Sequence, residues 1–156
     1  MALIPEQVFS AANTVALIGW LALAVSPASA RWAPGVRQIA GRVLPLAFAA
    51  LYLALLLSAE PTGGNFNSLA GVQRLFSSPH ALTAGWVHYL AFDLFVGSWI
   101  ASRAAALKLP HWQVLPTLAL TFLFGPLGYA AFIGLRALRR PQSLRWKGTN
   151  TQETNP

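Results

Sequence analysis

Four stretches of the chain are apolar with little interruption, at roughly 8–25, 43–57, 81–100 and 114–135. The first stops at Ser26-Pro27, and the second, VLPLAFAALYLALLL, is short, with Pro45 in what reads as its first helical turn. The third carries polar insertions, and the fourth runs into Arg136. In hydrocarbon every backbone polar group has to be paired internally, and a barrel would need alternating ten-residue strands that are absent here. The pattern predicts an all-α integral membrane bundle of four transmembrane helices over 1–140, followed by a polar tail over 141–156.

Between the second and third stretches the run PTGGN marks a turn. Beyond it Phe66, Leu69, Val72, Leu75 and Phe76 fall at helical spacing, which predicts a short interfacial helix with its apolar face inward. Ala28-Ser29-Ala30 has the form of a signal-peptidase site, but the start of the chain holds Glu6 and no Lys or Arg. Without a basic n-region, the first helix is expected to stay.

Composition agrees with the pattern. Of 156 residues, 55% are hydrophobic and 10% charged, and the mean hydropathy is +0.51; a soluble domain carries about a quarter charged residues. Disorder is excluded on the same grounds. With no cysteine, disulfides, thiolate metal sites and Cys nucleophiles are excluded. Three histidines in separate segments without paired acids make no metal site, and no cofactor is expected. The net charge of +7 is explained by basic residues beside a membrane, so nucleic acid is not an expected partner.

With four spans, Arg74, Arg136, Arg139, Arg140, Arg145 and Lys147 share one side, against Arg31, Arg37, Arg42, Arg103 and Lys108 on the other. That near balance sets no orientation. The cluster from Arg136 to Lys147, just past a span, favours a cytoplasmic C-terminus.

Chemistry concentrates in the third stretch. Asp93, the only aspartate, falls about 18–20 Å into the bilayer core, where an ionisable group costs roughly 2.5–3.5 kcal/mol. Removal from water disfavours the carboxylate, so a neutral acid able to give a proton is expected; the competing reading is a buried interhelical hydrogen bond. Gly85, Tyr89, Asp93 and Gly97 form one stripe, with Trp86 close to it. His88 lies about 140° round from Asp93 and shares a second stripe with Phe92, Phe95 and Trp99. That aromatic face suits a flat hydrophobic molecule, or ordinary helix packing. His111 follows Pro110 in the turn before the fourth helix, and reads as an interfacial histidine. Gly125-Pro126-Leu127-Gly128 predicts a kink, because Pro126 removes the bond to the Phe122 carbonyl; Tyr129 puts a hydroxyl beside it.

The run from Trp86 through His88, Tyr89 and Asp93 to Gly97, then Pro110-His111, then Leu120 to Gly128 with Gly125-Pro126, resembles the abscisic-acid-deficient-four-like membrane family. Gly63-Gly64 and the segment from Ser68-Leu69 to Leu75-Phe76 fit the same pattern. Plant members are needed to make neoxanthin from violaxanthin, an isomerisation that opens an epoxide and creates an allene. The resemblance implies a carotenoid or related isoprenoid ligand, with Asp93 as acid and His88 or Tyr89 as base or relay. Trp86, Phe92, Phe95, Gly97, Trp99, His111, Gly125, Pro126 and Tyr129 are then the expected substrate wall. Arg103 stands where an acidic residue is expected in relatives, and no chloroplast transit segment is visible; the chain therefore reads as a bacterial-type, multi-pass inner-membrane member. The alternative function is a non-catalytic membrane subunit that binds pigment or lipid and stabilises a larger complex. Expected partners are membrane lipid, an isoprenoid ligand, and a membrane protein complex or a second copy of the chain.

Overall fold

A computed structural model describes residues 4–139, and all regular structure among them is helical. The tail at 141–156 lies outside the described residues. Helix α1 (Pro5–Ala24) opens on a proline, whose missing N–H would have no partner in the first turn. It stops just before Ser26-Pro27, as the residue preceding a proline is pushed out of the helical region.

The second helix starts much earlier than its apolar run. It comprises α2 (Ala33–Gln38), a π turn (Ile39–Val43) and α3 (Leu44–Leu57), which continue as one rod of 25 residues. Pro45 therefore lies inside a helix rather than at its beginning. The π turn precedes it, where a regular turn would set the proline ring against the Gly41 carbonyl. Arg37, Gln38 and Arg42 interrupt the apolar pattern, which is why the start was not visible in it.

Helix α4 (Leu69–Leu75) is capped by Ser68, whose Oγ accepts from the Gly71 N–H at 3.0 Å. Its apolar side is only partly inward: Phe66 and Leu69 are exposed, while Phe76 packs against Gly85. Helix α5 (Pro79–Ala106) is the axis of the fold, packing against α1, α3, α6 and α7. Its inward side chains, among them Val87, Leu94 and Ile100, are fully buried in the main core.

Side-chain contacts between the helices fix how they run. Trp86 meets Asn13 and Gly97 lies under Trp20, so α1 and α5 are parallel. Tyr52 packs on His88, while the Ser98 hydroxyl donates to the Arg37 carbonyl at 2.7 Å, so the α2–α3 rod is antiparallel to α5. Helix α6 (His111–Phe124) starts where His111 Nε2 meets the Ala24 carbonyl at 2.7 Å, and runs down to Gly125 beside Asp93.

There the chain reverses. A single kinked fourth span was expected; the structure has two helices, α6 and α7 (Pro126–Leu138), joined at Gly125. Gly125 has φ +47° and ψ −95°, a conformation closed to residues with a Cβ. Pro126 starts α7 instead of kinking a continuous helix. Gly128 lies directly on the Thr121 backbone, and Tyr129 and Phe132 meet Trp99, further along α5 than Asp93. Helix α7 thus returns beside α6 toward the end from which α6 came.

Two helices, Pro5–Ala24 and Ala33–Leu57, are long and apolar enough to cross a membrane by length and composition. At 14 and 13 residues, α6 and α7 are each about 20 Å long, short of a full span. Among the described residues, the N-terminal end of the bundle holds Glu6, Glu60 and Arg74. Arg31, Arg37, Arg42, Arg103, Lys108, Arg136 and Arg139 gather at the other end. The even division of basic residues expected from four spans is replaced by a steep one, because the hairpin returns Arg136 and Arg139 to the side of Arg103.

Candidate functional site

The expected site residues fall into three places along α5. On one face, Asp93 is 8% exposed and sits one turn from Tyr89 on the same stripe. Oδ1 lies 3.0 Å from where a Cβ on Gly125 would sit, and Oδ2 is buried without a partner. The Tyr89 ring packs on Trp86 at 5.4 Å between centroids, and Trp86 packs on Phe9 at 5.5 Å. Trp86 Nε1 donates to Asn13 Oδ1 at 3.1 Å, which orients the indole. Asp93, Tyr89, Trp86, Gly125 and Pro126 therefore belong to one cluster at the hairpin tip.

His88 belongs to another. Its ring sits between Tyr52 (5.4 Å) and Phe92 (4.7 Å), turned toward α3. It lines a chamber of about 710 Å³ with Tyr52, Glu60, Gly64, Phe76 and Gly85. The segment from Ala59 to Phe66 roofs this chamber. Gly64 lies against Leu75, which draws the turn down onto α4. His88 and Asp93 thus meet different surroundings, as their angular separation on α5 requires.

The third place is a groove of about 570 Å³ between α2 and α5, lined by Arg37, Arg42, Phe95, Ser98, Trp99 and Ser102 among others. Phe95 and Trp99 line this groove and not the His88 chamber. Yet Gly85, His88, Phe92, Phe95, Trp99 and Ser102 succeed one another at spacings of three and four, so both cavities open on one stripe of α5. Tyr129 packs on Trp99 at 5.6 Å from α7. Gly97 faces the Trp20 indole across the α1 interface, and His111 ties α6 to α1. Both are helix-joining positions away from the His88 chamber and the arginine groove.

Tyr52, Glu60, Asn13 and the two arginines are absent from the sequence-based site. Asn13 had a signal, as a polar residue midway along an apolar helix. Glu60 and Tyr52 had none without the fold of the 59–66 segment. Among the described residues no group of His, Cys, Asp or Glu could hold a metal ion.

All-helical among its described residues, with two apolar helices of membrane-crossing length, a buried carboxyl and an aromatic-walled chamber, the fold is that of a small helical protein and suggests one of membrane type. The chain belongs to the ABA DEFICIENT 4-like family, whose profile matches residues 7–132. No curated protein and no solved structure matches it.

Proposed function

We propose that the protein is an integral membrane protein that takes the ring end of a carotenoid or related isoprenoid into the His88 chamber and isomerises it there. Membership of the ABA DEFICIENT 4-like family suggests a relation to neoxanthin synthesis. In the proposed arrangement α1, the α2–α3 rod and α5 cross the bilayer, and the α6–α7 hairpin enters and leaves on one side. Non-helical backbone is tolerated at membrane depth only inside protein, and Gly125 is buried against Asp93.

The observation that carries the reading is His88, an imidazole packed between two aromatic rings in a largely apolar chamber that also holds Glu60. Rearranging an epoxide to an allene alcohol conserves atoms. A proton goes to oxygen, the carbon–oxygen bond breaks, and a carbon-bound proton leaves. One acid and one base in a single apolar chamber meet that balance, with Glu60 as donor and His88 as acceptor. The polyene would lie along exposed Phe92. Asp93 faces the hairpin tip instead and is assigned to holding it.

The test is to add an epoxy-carotenoid to detergent-purified protein and follow its visible spectrum and products. Conversion that disappears in His88→Ala supports the reading. Binding without conversion identifies a pigment-binding subunit, and absence of binding rejects both.

A further inference from the structure

In a regular α-helix, residues five apart lie about 140° from each other round the axis. Arg37 and Arg42 are five apart, yet both line the groove between α2 and α5. The π turn Ile39–Val43 holds Arg42 and brings residues five apart closer round the axis than a regular turn would. Both arginines thereby border one cavity, with Gln38 and Gly41 between them. Gly41 admits Ser98 closely, and Ser102 adds a second hydroxyl beside them. Among the described residues neither arginine has a carboxylate at hand: Glu6 and Glu60 lie at the opposite end of the bundle, and Asp93 lies at the hairpin tip. Gln38 adds an amide, and the apolar part of the wall is led by Phe95 and Trp99, with Phe95 half exposed to the surroundings of the bundle.

From this geometry we infer that the groove binds the phosphate group of an anionic phospholipid. The guanidinium groups of Arg37 and Arg42 engage phosphate oxygens, and an acyl chain lies over Phe95. A phosphate group could also come from free inorganic phosphate. The apolar wall, continuous with the outward stripe of α5, favours the lipid. Gathering of seven of the eight described basic residues at this end places the groove in the cytoplasmic leaflet, where anionic headgroups concentrate. This site is independent of His88 and of any reaction in its chamber.

Native mass spectrometry of the full chain, delipidated in detergent, tests the inference with phosphatidylglycerol, phosphatidylcholine and inorganic phosphate as separate probes. One phosphatidylglycerol should bind on the order of tenfold more tightly than phosphatidylcholine, and the preference should vanish in the Arg37→Gln, Arg42→Gln double variant. Arg103→Gln, at the same end but outside the groove, should keep it. Equal retention of both lipids, an unaffected double variant of unchanged helical content, or an equal loss in Arg103→Gln overturns the proposal. Binding of inorganic phosphate that fully excludes the lipid replaces the lipid source by free phosphate.

Discussion

Asp93 faces Gly125 across the α5–α6 packing, with Oδ1 3.0 Å from the position a Cβ on that glycine would occupy. The only described aspartate therefore meets the chain where α6 turns back into α7, at a residue that only glycine can readily supply. The carboxyl and the reversal are two halves of one contact.

Substitution at Asp93 should separate a structural from a chemical role. Asp93→Asn keeps the volume and a polar head group beside Gly125, so fold, ligand binding and conversion should persist. Asp93→Leu puts a branched apolar side chain against Gly125, and should cost about 1–3 kcal/mol through overpacking. Thermal unfolding in detergent and product analysis check both. Lost conversion with intact binding in Asp93→Asn would make this carboxyl the proton donor and move the reacting centre to the hairpin tip.

The hairpin glycines should tolerate little. Gly125→Ala forces a Cβ into a backbone region reserved for glycine, at a cost on the order of 1–3 kcal/mol. Gly128→Leu drives a side chain into the Thr121 backbone, and should cost at least as much through overpacking. Gly134, inside α7 and beside open space, is the control, and its alanine variant should be at least as stable as the parent. Equal melting of Gly128→Leu and the parent would mean that α7 does not pack on α6.

Much of this arrangement was legible in the residues. The angular separation of His88 from Asp93 followed from helical spacing alone. The reversal at Gly125 did not, because an apolar run broken by Gly-Pro reads equally well as a kinked span; only positive φ at Gly125 and the seating of Gly128 on Thr121 distinguish the hairpin. The arginine groove was hidden for another reason. Arg37 and Arg42 lie at opposite borders of one helical face under a uniform 100° per residue, and neither the π turn between them nor the groove against α5 has a sequence signature. The chamber roof was hidden because residues 59–66 have no periodicity from which a fold could be read.

Two histidines should behave oppositely. His111→Ala removes the 2.7 Å contact with the Ala24 carbonyl and should lower stability by roughly 0.5–1.5 kcal/mol while leaving ligand binding intact. His88→Ala removes no hydrogen bond that joins helices, so it should melt near the parent temperature and lose conversion. Melting curves paired with the visible-absorption assay decide this. A His88 variant that melts early but still converts its ligand would reduce His88 to a packing residue.

The reversal also makes a prediction about sidedness. Four full crossings would leave the start of the chain and Arg139 on the same side of the membrane. Three crossings followed by a hairpin that enters and leaves on one side put them on opposite sides. The charge distribution sets the direction: Arg31, Arg37, Arg42, Arg103, Lys108, Arg136 and Arg139 share the end of the bundle at which α7 finishes, against Arg74 at the other. An excess of that size favours the cytoplasm strongly. A reporter active only in the cytoplasm should therefore work when fused after Arg139 and fail when fused ahead of Pro5. A reporter active only outside should give the reverse pattern. Cytoplasmic activity at both positions would show that α7 continues across the bilayer, and the Gly125 reversal would then not describe the protein in its membrane. Cysteines introduced singly at Leu123 and Leu127, both exposed on the hairpin, supply an independent check. Hydrocarbon should shield both from a water-soluble thiol reagent added on either side, whereas one introduced at Leu138 should react from the cytoplasmic side alone.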